Sequence, residues 1–118
     1  MAEFGLFIGW GSSRAGKEAA AATLFEEAVA YWNRIEASGE IESVETVLLS
    51  AHGADLTGFF LLRGDPERLG RLSMSPEFRR LMYRAGAVVE GLGIIPATLD
   101  AGAVRLVGEA TEATADLI

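Results

Sequence analysis

Cysteine is absent from the 118 residues, which removes disulfide scaffolds, thiolate nucleophiles and every cysteine-ligated zinc or iron-sulfur site. Positive charge is scarce. Ten Lys and Arg face seventeen Asp and Glu for a net charge of -7, and duplex nucleic acid needs a basic footprint to neutralise its phosphates. No nucleic-acid partner is expected. No apolar run approaches the ~20 residues that span a bilayer, and the opening Met1-Ala2-Glu3-Phe4-Gly5 lacks the basic start of a signal peptide. These features predict a cytoplasmic protein without a membrane partner. Histidine occurs once, as His52, so a metal site would rest on carboxylates that no local spacing gathers. Neither metal nor cofactor is expected.

Half of the residues are hydrophobic, enough for one core and one domain over residues 1–118. Phe4 to Trp10, aromatic and β-branched and followed by Gly11-Ser12-Ser13, reads as a strand. From Lys17 to Ala37, Ala21, Leu24, Phe25, Ala28, Tyr31, Trp32 and Ile35 recur every three or four positions, the spacing of a helix with one buried side. Ser38-Gly39 is its stop. Ile41 to Ser50 and Thr57 to Arg63 read as a strand pair around the Ala51–Asp55 loop.

Asp65-Pro66-Glu67 and Ser75-Pro76-Glu77 are two helix starts. Asp or Ser caps the first free amides, and Pro at the first helical position forfeits a donor that has no partner there. They predict helices from Pro66 to about Leu72 and from Pro76 to about Glu90. Leu92 to Leu99 reads as a strand, and Pro96 within it, lacking a ladder donor, points to an edge, a strand end or a bulge. A last helix is predicted from about Gly102 to Asp116.

Strand, helix, strand, strand, helix, strand is the order of a ferredoxin-like βαββαβ domain, an α+β fold with a four-stranded antiparallel sheet, here with an added C-terminal helix. Right-handed crossovers put both main helices on one face. The other face ought then to be polar at alternate positions, yet Phe7 alternates with Leu6 and Ile8, and Phe59 and Leu61 alternate with Phe60 and Leu62. A sheet apolar on both sides with helices for only one implies a second layer from elsewhere. The reading is a homodimer through the sheet face.

The pattern resembles the dimeric α/β-barrel superfamily, in which two ferredoxin-like protomers pack sheet on sheet. That superfamily includes stress-responsive barrel proteins, antibiotic-biosynthesis-type monooxygenases and YCII-related proteins. The likeness spans nearly the whole chain as element order. It is sharpest at Ala51-His52-Gly53-Ala54-Asp55-Leu56-Thr57-Gly58, at Leu62-Arg63-Gly64-Asp65 and at Ser75-Pro76-Glu77-Phe78. YCII-related proteins pair a histidine of the first helix with an aspartate beyond the second strand. Asp55 matches that aspartate, and the first helix here has no His.

Three chemistries follow. A small apolar or aromatic molecule could lie between sheet and helices against Trp10, Tyr31 and Tyr83, with Arg63 (or Arg105) as a polar contact; Trp32, a fourth aromatic there, is better explained as core. A cofactor-independent, monooxygenase-like or YCII-like enzyme would use His52 and Asp55 as acid and base, against the plainer reading of a loop histidine beside a turn-forming Asp. Gly11-Ser12-Ser13-Arg14-Ala15-Gly16-Lys17 matches a phosphate-loop pattern except that Glu18 stands where Ser or Thr would meet Mg²⁺. At most it predicts a weak anion-binding module at a helix start.

Overall fold

The computed structural model describes residues 1–117. Their elements follow the expected order: β1 Phe4–Trp10, α1 Glu18–Ala37, β2 Ser43–Leu48, β3 Gly58–Arg63, α2 Pro66–Met74, α3 Pro76–Val88, β4 Gly93–Thr98 and α4 Ala101–Ala113, closed by a 3-10 turn at Ala115–Leu117. The two cap signals act as their chemistry requires. The Asp65 carboxylate accepts from the Arg68 amide at 3.0 Å, and the Ser75 hydroxyl accepts from the Phe78 amide at 3.3 Å. Ser75 also closes α2 by donating its own amide to the Leu72 carbonyl. One residue thus ends one helix and starts the next.

The sheet runs β2-β3-β1-β4, antiparallel throughout. β4 is an edge strand, which is where the missing amide of Pro96 can be tolerated. Register fixes the faces. Leu6 pairs with Leu62 and Pro96, and Ile8 with Phe60 and Ile94, all on the front. Phe7 pairs with Leu61 and Ile95, and Val47 with Phe59, all on the rear.

The helices cover the front. Leu6, Ile8, Phe60 and Leu62 join Leu24, Ala28, Trp32 and Ile35 of α1, and Phe78, Leu81 and Met82 of α3, in one buried core. Trp32 is fully enclosed, its ring 5.6 Å from Phe60 and 5.9 Å from Phe78. Its indole N–H finds no acceptor among the described residues.

On the rear, Phe7 and Phe59 stack at 4.9 Å and remain half-buried, and Ile95 is 53% exposed. α4 does not lie across this face. It packs at its start, where Gly102 sits against Glu3 and Thr98, and its apolar Val104, Leu106 and Val107 stay exposed. No helix is long and apolar enough to cross a membrane among the described residues.

Candidate functional site

The helix layer is not closed over the whole front. Toward the amino end of α1 it opens into a chamber of about 420 Å³. Its floor is Ile8, Trp10 and Phe60, one wall is Ala21, Ala22 and Phe25 of α1, and the other is Leu81, Met82 and Ala85 of α3. Alanine at three wall positions is what leaves the space, since any longer side chain there would fill it.

Trp10 is half-buried at the end of β1, with its ring 4.9 Å from Phe60 and 6.1 Å from Phe25. Phe25 and Phe60 stack at 5.6 Å. Across the sheet from Trp10 is Gly58, where a Cβ would come within 2.9 Å of the indole and 2.6 Å of the Val47 carbonyl. Gly58 therefore makes the seat on which Trp10 lies. The glycines on either side of Trp10 serve the backbone packing. A Cβ on Gly9 would strike the Phe7 ring at 2.6 Å, and one on Gly11 the Asp55 carbonyl at 2.8 Å. They permit close packing and leave no room for a guest.

Of the residues expected from sequence to hold a small molecule, the structure brings only Trp10 to this chamber, beside Ser13 and Glu18 of the phosphate-loop pattern. Arg63 lies on the rear face, its side chain 11% exposed, bound to Glu45 at 3.3 Å and Asp100 at 3.0 Å. Burial by itself would lower its pKa, but the hydrogen bonds it donates to those two carboxylates more than offset that and raise it. It cannot reach a molecule on the front. Tyr83 is 74% exposed on α3 and lines none of the cavities described, and Arg105 is paired with Glu3 beside α4.

His52 lies in an exposed loop and donates from Nε2 to the Leu56 carbonyl at 2.8 Å. Among the described residues it meets neither the Asp55 carboxylate nor a cavity. The bond ties the β2–β3 loop to itself, next to the point where the Thr57 amide donates to the Trp10 carbonyl at 2.8 Å.

Several amides of the predicted anion loop already have partners. Gly11 donates to the Glu90 carbonyl at 2.7 Å, Arg14 to Val88 at 2.8 Å, and Gly16 to the Glu18 carboxylate at 3.4 Å. Residues 11–14 extend β1 alongside 88–90 instead of cradling a phosphate, and the Arg14 guanidinium is occupied by Glu90 and the Gly86 carbonyl. No group of three His, Asp or Glu able to hold a metal ion occurs among the described residues.

A second hollow, about 920 Å³, lies at the other end of α1 among Tyr31, Arg34, Arg68, Arg71 and Glu77. Its cations are already engaged: Arg34 with Glu77, Arg71 with Glu67, and Arg68 with the Gly39 carbonyl. The aromatic chamber is the better site. Sequence reasoning missed Phe60 and Phe25 as its members. Phe60 was within reach, because strand parity places it on the face of Trp10.

No family model matches the chain, and no curated protein does. Among solved structures it is similar to a dimeric protein of unknown function and ferredoxin-like fold from Bacteroides fragilis NCTC 9343, with a TM-score of 0.58 at 13% identity, over 82% of this chain and 97% of that one. The chain has a ferredoxin-like fold. The neighbour's near-complete coverage shows that the β1-to-β4 architecture described above is a recurrent one, and at this identity the likeness speaks of fold alone.

Proposed function

We propose that the protein is a homodimer joined through the rear face of its sheet, each copy carrying an apolar chamber that receives a small aromatic or aliphatic molecule. The observation that carries the binding half is the chamber itself. About 420 Å³ is within the range of small-molecule sites, which are mostly apolar with few polar groups. Three aromatic rings bound it, two of them, Trp10 and Phe25, half-buried. The charged residues of its lining are Glu18 and Glu26, which disfavour a carboxylate or phosphate-bearing guest. The reading is binding without turnover, because the lining has no histidine and both carboxylates lie exposed on α1.

The dimer half is supported by the uncovered rear face and by the Bacteroides fragilis neighbour, itself a dimer. The rear has the anatomy of an interface: Phe7, Phe59, Leu61 and Ile95 at the centre, and the Arg63–Glu45–Asp100 ion pairs at one end as a polar border.

The chamber is tested by the fluorescence of Trp10. Titration with naphthalene, indole and 2-naphthoate should give saturable changes for the neutral pair and weaker ones for the anion. Trp10→Phe should abolish the signal, Trp32 remaining as a constant background. A flat titration with all three compounds to their solubility limits overturns the reading.

A further inference from the structure

α4 is a helix aimed with care at nothing. At its entry Asp100 adopts φ 55°, a conformation strained for a non-glycine residue that persists only where the surroundings impose it. Here they do. The Arg63 guanidinium holds the Asp100 carboxylate at 3.0 Å. Gly102 packs so closely on Glu3 and Thr98 that a Cβ would stand 3.0 Å from one and 3.1 Å from the other. Arg105 is ion-paired with Glu3. Three contacts thus fix the direction in which the helix leaves.

Beyond them it meets little. Val104 is 73% exposed, Leu106 52% and Val107 67%. The helix is nonetheless two-sided, with Ala103, Leu106, Val107 and Ala110 along one stripe and Arg105, Glu109 and Glu112 along the other. A 13-residue helix without tertiary packing is marginal in water, so the apolar stripe needs a surface.

The size of the deficit can be read from the whole molecule. Its accessible surface is 7424 Å² at 12.5 kDa, whereas a monomer of this mass averages about 6,200 Å². Its radius of gyration is 16.3 Å against about 13.5 Å for a chain of this length. The excess surface, about 1,200 Å², exceeds the ~800 Å² that each partner gives to an ordinary stable interface.

Resting on the dimer reading above, we propose that α4 is a clasp: it crosses to the second copy and lays its Leu106–Val107 stripe along the β4 margin of that copy's rear face, beside the sheet-to-sheet contact. The reach suffices. Thirteen helical residues extend about 20 Å, and four strands are about 14 Å across. The surface is suitable, since edge strand β4 leaves Ile95 53% exposed and Leu99, against Gly5, leads from the rear face directly into the helix. A lipid surface is the poorer occupant, because interfacial helices carry Lys and Arg on their polar side and this one has a single Arg beside two Glu.

The test uses the full chain with p-benzoylphenylalanine in place of Val107, mixed as equal parts of isotopically heavy and light protein and irradiated. The clasp predicts cross-links joining heavy to light chains and ending on β1, β3 or β4. Cross-links within one chain only, or none, overturn it. In parallel, Leu106→Glu/Val107→Glu should weaken dimerisation about 100-fold or more, with far-UV circular dichroism of the concentrated protein retained. A dimer equally tight in that variant overturns the clasp and leaves sheet-to-sheet pairing standing. A parent chain that sediments as a monomer overturns both.

Discussion

The two faces of the sheet are made of similar residues and are covered differently. On the front, Ile8 and Leu62 of the central strands are 1% and 0% exposed under α1 and α3, and only at edge strand β4 does Ile94 stay open, at 39%; on the rear, Phe7 and Phe59 of the same central strands remain half-buried and Ile95 is 53% exposed. Alternation along a strand decides which side chains share a face, but the covering is decided by crossovers that send every main helix the same way. The front therefore stores intramolecular stability, and the rear keeps apolar surface that no helix covers. The sharpest break of that contrast is at Trp32. Trp32→Ala should cost about 3–5 kcal/mol, read as a lowered urea midpoint at fixed protein concentration. Trp32→Phe should cost about 1 kcal/mol, because it also removes an indole N–H buried without a partner.

The next largest effect tests the rear. Ile95→Glu replaces a side chain already half in water, so the stability of the isolated chain should change by less than about 0.5 kcal/mol. In a two-fold interface the same change is made twice, removing about 1.5–3 kcal/mol of apolar burial per copy. Sedimentation equilibrium should show the dissociation constant raised a hundredfold or more. If Ile95→Glu instead lowers the unfolding midpoint and leaves the mass unchanged, the rear face is not an interface.

The fold was legible because its signals are local. Asp65-Pro66, Ser75-Pro76 and the Leu24–Ile35 periodicity each name a physical requirement that the backbone then meets. The end of α3 was read two residues long because residues 88–90 answer to a distant partner, the Ser12 and Arg14 backbone, and no local pattern announces that pairing. The site was legible only at Trp10. Arg63 was assigned by residue type, whereas its face is set by register: it pairs with Gly5 and Ser43, opposite Phe60 and Leu62. Tyr83 and His52 were likewise chosen for chemistry without a means of knowing what they face. The chamber is created by absent atoms, at Ala21, Ala22 and Ala85, and small residues give the weakest signal a sequence carries.

Gly58 sharpens the comparison within the front face, between its closed and open ends. An added methyl would press on the Val47 carbonyl at 2.6 Å and on the Trp10 ring at 2.9 Å; the first contact is backbone and cannot yield cheaply. Gly58→Ala should cost about 1–3 kcal/mol and move Trp10. Its emission should shift while that of Trp32 does not, a difference resolved by placing Gly58→Ala in the Trp10→Phe and Trp32→Phe backgrounds. Naphthalene affinity should fall with the displaced ring. Unchanged Trp10 emission and affinity would show that the chamber does not depend on this seat.

The smallest effect lies at the other end of α1, in Tyr31. Its ring is 8% exposed, and burial, only partly offset by a hydrogen bond with Ser75 and reinforced by Glu77 and Glu40, raises its pKa above the ordinary tyrosine value of 10.0. The folded state thus holds the phenolic proton more tightly than the unfolded chain does. That contribution to stability is complete below pH 10, and it fades as the pH climbs from the unfolded pKa through the folded one. Tyr31→Phe removes the titration. The difference in urea midpoint between parent and Tyr31→Phe should be constant from pH 7 to 9 and should shift against the parent by pH 11. A constant difference across the whole range would mean that the phenol is as well solvated when folded as when unfolded.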